Sequence, residues 1–277
     1  VRYRPVVRHT VSVSELNFRL PGRLRFSEEM PENPAVPRDA ATVVLLRDSD
    51  QGLEVFLLRR VAAMAFAPGM TVFPGGGVDQ RDADESVRWA GPEPSVWAEE
   101  FAGTEPLGRA LVCAAVRETF EESGVLLAGT EKGVVEDATR FGDARQALVS
   151  RELSLASFLR DEGLILRADL LRPWAHWITP AQEKRRYDTR FFVAVLPDGQ
   201  HADGVTTEAE SAGWQRPQDA LADAEEGRSM LMPPTWHTLT ELAKFPSAAD
   251  VLAADRTIVP ITPTIVRDGD GLRVVVK

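Results

Sequence analysis

The chain has 277 residues, 44% of them hydrophobic, enough for one large domain or a domain with extensions. Its 32 basic and 42 acidic residues leave a formal charge of −10, which repels phosphate backbones and anionic lipid and excludes nucleic acid as a main partner. Cys113 is the only cysteine, so no intrachain disulfide forms, and no apolar run approaches the roughly 20 residues that cross a bilayer. A soluble cytoplasmic protein in a reducing compartment is expected, since the basic start "VRYRPVVRHT" lacks the apolar stretch of a secretory signal.

Residues 1–40 hold five prolines and little periodicity, and read as an irregular arm. "ATVVLLRD" (41–48) and "LEVFLLRR" (53–60) are β-rich runs flanking "SDQG", a hairpin pattern. Pro68-Gly69 marks a turn, and Pro74 to Gly77 reads as a glycine loop ending a short strand. Residues 79–107, rich in acids and carrying Trp89, Trp97 and Phe101, read as an inserted loop or small helical excursion. A helix is expected over 108–123 and a second, amphipathic one around 149–162, with Leu155, Phe158 and Leu159 on one face. "AHWITP" and "TRFFVAVLP" read as strands, and "PQDALADAEEG" and "PPTWHTLTELAKF" as helices begun by proline. "DGDGLRVVVK" reads as a terminal hairpin. Strands and helices interleave without a strict βαβ rhythm, which predicts a mixed α/β sandwich and not a doubly wound sheet.

The stretch "RETFEESG" (117–124) concentrates charge. Glu118 and Glu122 stack at i, i+4 on one helix face with Glu121 beside them, while Cys113, Val116 and Phe120 take a face suited to burial. Gly124 stands where a left-handed residue ends a helix. Clustered acids near the negative end of a helix dipole repel one another and that dipole. A hard divalent cation such as Mg²⁺ or Mn²⁺ would turn them into a ligand set.

The glycines followed by "RETFEESGV" resemble the signature of the Nudix hydrolases, G-x5-E-x7-R-E-U-x-E-E-x-G-U with U a bulky apolar residue. With Gly76 as the leading glycine, Arg117, Glu118, Glu121, Glu122, Gly124 and Val125 match. Three features depart: Arg117 lies 41 positions after Gly76 where the family has 14, an insertion of 27; Asp82 stands in place of the first glutamate; and Thr119 replaces an apolar residue. Segments spread over about 42–245 are similar to the subfamily that includes the peroxisomal coenzyme A diphosphatases. That subfamily's coenzyme A motif is present in part: Arg60, Met64, Gly69, Val72, Phe73, Pro74, Gly75 and Gly76 fit or nearly fit. Arg59 replaces its threonine, Ala65 its second arginine, and Ala67 or Pro68 stands at its histidine.

The resemblance implies an α+β fold, a Nudix-type α/β/α sandwich with a mixed central sheet. Residues 1–40 would form an arm, 41–230 the domain with 79–107 inserted in the signature, and 231–277 a C-terminal helical extension. It implies Mg²⁺- or Mn²⁺-dependent hydrolysis of a diphosphate linking a nucleoside to another moiety, coenzyme A or an acyl-CoA first among substrates. The alternatives are an ADP-ribose or NADH-type pyrophosphatase, or a non-catalytic nucleotide-binding module. Glu118, Glu121 and Glu122 would be metal ligands, Glu121 a ligand or base, and Arg117 the residue that orients a glutamate. Gly75, Gly76 and Gly77 would let backbone pass close to the metal and phosphates. Glu208 and Glu210 are candidate bases outside the signature. Arg59, Arg60, Arg185, Arg186 and Arg190 are candidate phosphate binders, the last three within the basic cluster "KRRYDTR". His176, His201 and His237 show no metal-ligand spacing, and Trp174, Trp177 and Trp236 read as core. The expected partner is a nucleotide-type small molecule, with no membrane; a homodimer is the candidate assembly, dimers being common in the family.

Overall fold

The computed structural model describes residues 17–19, 29–61, 67–206, 209–269 and 271–275. In chain order the elements are β1 (Asn17–Arg19), β2 (Arg38–Ser49), β3 (Gly52–Arg60), β4 (Thr71–Val72), β5 (Gly75–Gly77), β6 (Trp89–Ala90), α1 (Pro94–Glu100) and α2 (Glu105–Ser123). They continue with β7 (Ala128–Thr130), β8 (Gly133–Val134), α3 (Gly142–Val149), α4 (Leu155–Asp161), β9 (Ile165–Arg167), β10 (Arg172–Ile178), β11 (Tyr187–Val195) and β12 (Ala209–Gln215). The C-terminal part holds α5 (Pro217–Glu225), α6 (Pro233–Leu242), α7 (Ala248–Leu252), β13 (Pro260–Ile261), β14 (Thr264–Asp268) and β15 (Gly271–Val275).

The apolar runs of β2 and β11 are buried on both faces, and this places them at the middle of the main sheet. Its order is β12-β3-β2-β11-β10-β13, with β4 on β3 and β5 on β2. The β11–β2 and β10–β13 pairs are parallel and the others antiparallel, so the sheet is mixed as expected. Strand side chains alternate between faces. Ala41, Val43, Leu45, Phe56, Leu58 and Phe192 therefore pack with Leu111 to Val116 and Phe120 of α2. Val44, Leu46, Val55, Leu57, Phe191 and Val193 pack with α5, α6 and α7 through Ala220, Leu239, Leu242 and Val251. Helices thus cover both faces, giving the α/β/α sandwich. Trp174 and Trp177 belong to the second core, and Trp236 packs against it half-buried. Among the described residues no helix is long and apolar enough to cross a membrane.

Several expectations need adjusting. Of the proline-rich arm, residues 1–16 and 20–28 lie outside the described residues, and β2 begins at Arg38, before the expected Ala41. The main helix starts at Glu105 because Thr104 caps it, its side chain accepting from the Leu107 N–H; Gly124 ends it at φ +73° as expected. The helix expected over 149–162 is shorter: α3 ends at Val149 and only Leu155–Asp161 of the span is helical, as α4. Arg151 breaks the run in the left-handed region, at φ +62°, and Ser154 caps the second helix. The three glycines form β5, paired to Thr42, Ala41 and Ala40 of β2, in place of a loop. Thr119 is fully buried where an apolar residue was expected, and its hydroxyl donates to the Ala115 carbonyl at 2.7 Å.

The expected insertion over 79–107 also narrows. Residues 80–83 form a 3-10 turn that packs on α2, with Asp79 and Asp82 making a reciprocal cap. The excursion is residues 84–104. Trp97 and Phe101 seat it on Phe192, with ring centroids 5.5 and 5.3 Å apart. Gly108 admits it: a Cβ there would meet the Pro94 carbonyl oxygen at 2.5 Å.

Candidate active site

α2 carries Arg117, Glu118, Glu121 and Glu122, and β5 passes beside it. Arg117 is 9% exposed, and each of its five N–H groups finds an acceptor. Nε and Nη2 grip Asp82 side-on at 3.0 and 2.9 Å; Nη1 reaches Glu118 at 2.7 Å and Glu121 at 3.3 Å; Nη2 also donates to the Gly77 carbonyl at 3.0 Å. Asp82, though a carbon shorter than the family's glutamate, reaches Arg117 because the 3-10 turn delivers it. Its Oδ2 also accepts the Asp79 N–H at 2.8 Å.

The glycines set how close α2 can approach. The Gly75 N–H donates to Glu122 Oε2 at 2.8 Å. A Cβ on Gly76 would lie 2.5 Å from the Glu118 carboxylate, and one on Gly75 would lie 2.5 Å from the Ala41 carbonyl oxygen. Behind the helix end, Arg145 donates to the Glu121 carbonyl at 3.1 Å and to Asp203 at 2.9 Å, so one of the orphan carbonyls of α2 is satisfied.

Two cavities open here. The smaller, of about 110 Å³, is lined by Asp79, Arg81, Arg117, Glu118, Glu121, Glu122, Leu148, Val149, Arg151 and Thr206. The larger, of about 390 Å³, is mostly apolar, with Val72, Phe73, Trp177, Phe191, Met232, Pro233 and Pro234 among its walls and Arg60, Arg185 and Gly75 to Gly77 on its margin. Glu118 and Arg151 line both, so the acidic pocket and the cleft meet at those two side chains. No residue of 84–104 lines either cavity, so the excursion does not act as a lid on them.

The electrostatics of the acidic pocket are out of balance. Burial pushes the Glu118 carboxyl up to about 7, against the opposing pull of Arg117. Burial also raises Glu121. Burial opposes the charge on Arg117, but Asp82, Glu118 and Glu121 more than offset it and hold the guanidinium ionised. By composition the carboxyls outnumber the arginines: Asp79, Glu118, Glu121 and Glu122 of the pocket and Asp82 behind it stand against Arg81, Arg117 and Arg151. Among the described residues no three carboxylate, histidine or cysteine side chains already converge as a metal site, because Arg117 draws Glu118 and Glu121 to itself. The donors nonetheless fit a hard divalent cation: all are carboxylate oxygens, and they lack compensating charge.

Comparison with known proteins identifies the family. The family profile described as "NUDT19 Nudix domain" matches residues 97–242. This chain belongs to the Nudix hydrolase family. A Caenorhabditis elegans protein named as a nudix hydrolase is 31% identical over 207 residues, covering 75% of this chain and 61% of that protein. The acyl-coenzyme A diphosphatases NUDT19 of Xenopus laevis and Homo sapiens are 26% and 27% identical, over 69% and 73% of this chain and 60% and 63% of theirs. The chain thus spans about three fifths of the length of the curated relatives it matches. The crystal structure of a NUDIX hydrolase from Alicyclobacillus acidocaldarius superposes with a TM-score of 0.65 at 27% identity, covering 80% of this chain and 98% of that one.

Within this Nudix domain, Arg117, Glu118, Glu121, Glu122 and Gly75 to Gly77 come together as expected, and Arg60 and Arg185 reach the cleft. Three other expected phosphate binders do not reach it. Arg190 is 4% exposed and turned to the α2 face, bonded to Asp39 at 2.5 Å and to the Asp188 carbonyl at 3.0 Å. Arg186 donates to the Thr179 and Ala35 carbonyls. Arg59 is half-exposed and faces Glu210 at 3.8 Å, and neither lines either of these two cavities. Glu208 lies outside the described residues. Asp82 as the arginine's main partner and Arg151 at the junction were not legible from the signature, and Trp177 serves as cleft wall as well as core.

Proposed function

We propose that this chain is a metal-dependent diphosphatase that hydrolyses the diphosphate of coenzyme A or an acyl-CoA. One observation carries the reading: a carboxylate set in excess of its counter-charge stands where a polar pocket meets an apolar cleft of about 390 Å³. Glu118, Glu121 and Glu122 would hold Mg²⁺ or Mn²⁺, and the cation would supply charge neutralisation at phosphorus and a more acidic water. Arg117 holds Glu118 and Glu121 in place, Glu122 is aimed by the Gly75 N–H, and the cleft shields the rest of the substrate from water. The apolar walls suit an acyl or pantetheine chain, in keeping with the printed name of the NUDT19 relatives.

A panel of coenzyme A, acyl-CoA, ADP-ribose and NADH, with products identified by mass, tests the reading. Adenosine 3′,5′-diphosphate with a 4′-phosphopantetheine product is expected under Mg²⁺ or Mn²⁺, and none with chelator present. Glu121→Gln or Glu122→Gln is expected to lower turnover by about 10²-fold or more with the fold intact. Turnover unchanged in both variants overturns the assignment, and ADP-ribose as the best substrate would move it to the dinucleotide class.

A further inference from the structure

Between the acidic pocket and the cleft stands an arginine outside the Nudix signature. Arg151 lines both cavities, and among the described residues only Glu118 shares that position. The other two arginines of the pocket are already engaged. Arg117 is saturated by carboxylates and the Gly77 carbonyl, and Arg81 is fastened to Asp79 through Nε and Nη2, each at 3.1 Å. The Arg151 guanidinium makes no hydrogen bond or ion pair with any described residue, although Glu118 and Glu121 line the same pocket.

Its backbone is equally specific. Arg151 has φ +62°, a region that side-chain-bearing residues enter at a cost and glycine enters freely. Two hydrogen bonds fix it there: its N–H donates to the Leu148 carbonyl at 2.9 Å, and its own carbonyl accepts from Arg81 Nη1 at 3.1 Å. A glycine would satisfy this turn with less strain, yet the position carries the one cation that, among the described residues, lines both cavities, with its charge also felt by Glu121.

We propose that Arg151 binds the diphosphate of the substrate, its guanidinium donating to phosphoryl oxygens at the junction, and that the left-handed turn aims it there. This rests on the diphosphatase reading above. A diphosphate whose apolar arm lies in the cleft must bridge the two cavities, and a planar guanidinium suits its oxygens in a way a point charge does not.

Arg151→Gly separates the ligand role from a turn role, because it removes the side chain while relaxing the backbone. The measurements are thermal unfolding, calorimetric titration with ADP in Mg²⁺, and coenzyme A turnover, for wild type, R151G, R151A and R151K. The expected result is an unfolding temperature of R151G at or above wild type, with ADP affinity down about tenfold in R151G and R151A and less in R151K. The kcat/KM for coenzyme A is expected to fall by roughly 10²-fold in R151G. ADP affinity and kcat/KM equal to wild type in a folded R151G overturn the role of Arg151 and leave the diphosphatase reading standing. A wild type that neither binds ADP nor hydrolyses any member of the panel overturns both.

Discussion

Arg117 and Arg190 are both buried on the α2 side of one sheet, both face carboxylates, and they are held in opposite electrostatic balance. Arg190 faces Asp39 and Asp188, and it shares Asp188 with His176, whose Nε2 meets Asp188 Oδ1. Burial works against the Asp188 charge, but the His176 hydrogen bond and the Arg190 charge overcome it, so this carboxyl lies below its usual range. Around Arg117 the buried carboxyls of Glu118 and Glu121 shift upward instead. The donor accounting differs too. Arg117 uses every N–H, whereas Arg190 leaves Nε, and His176 leaves Nδ1, buried without a partner. The Arg117 cluster satisfies every donor of its arginine and still holds more carboxyls than guanidiniums, which is the composition the proposed cation site requires.

The largest expected contrast comes from removing each guanidinium. Arg117→Met leaves Asp82, Glu118 and Glu121 buried together without their partner, and breaking such a set costs about 3–5 kcal/mol in urea unfolding. Mg²⁺ is expected to restore part of that loss, because it supplies the missing charge. A loss below about 1 kcal/mol would mean that the carboxylates do not depend on Arg117.

The burial of Glu118 fixes a pH dependence. The Glu118 carboxyl titrates near 7 in the folded chain and at 4.5 as its reference value, so between those values the native state binds more protons than the unfolded one. Stability without metal therefore falls as pH rises from about 4.5 to about 7, by up to about 3 kcal/mol. The difference between wild type and Glu118→Gln isolates this contribution from His237, whose burial lowers its pKa and acts in the opposite sense. Mg²⁺, which needs the ionised carboxylate, should stabilise the chain more at pH 8 than at pH 6. A wild-type curve that rises relative to the Gln variant over this range would contradict the sign.

Much of this organisation can be read from the sequence, and the limits have physical reasons. The β2–β3 hairpin, α2, α5 and α6 were legible because their apolar periods and caps are local. The acids of "RETFEESG" were legible because one helix fixes their mutual geometry. Asp82 was not, since the partner that gives it meaning is 35 positions away and only the fold brings them together. The basic run "KRRYDTR" misled for want of strand parity. On β11 Tyr187, Thr189 and Phe191 face the cleft, which turns Arg190 to the other face, while Arg185 reaches the cleft from the preceding loop. Arg151 left no signal, because a break inside an amphipathic run reads as continuation until its backbone is seen.

The smallest effect tests that parity argument directly. Arg190→Met removes a guanidinium whose Nε already lacks a partner, and it leaves Asp188 with His176 and Asp39 partly exposed to water. The cost is therefore expected at about 1–2 kcal/mol, below that of the Arg117 variant, with kcat and KM unchanged. Loss of turnover in a folded R190M would return Arg190 to the phosphate-binding role its sequence context suggested. Retained turnover, beside the larger stability loss expected for Arg117→Met, would show that two buried arginines on one sheet face differ in purpose because they differ in charge balance.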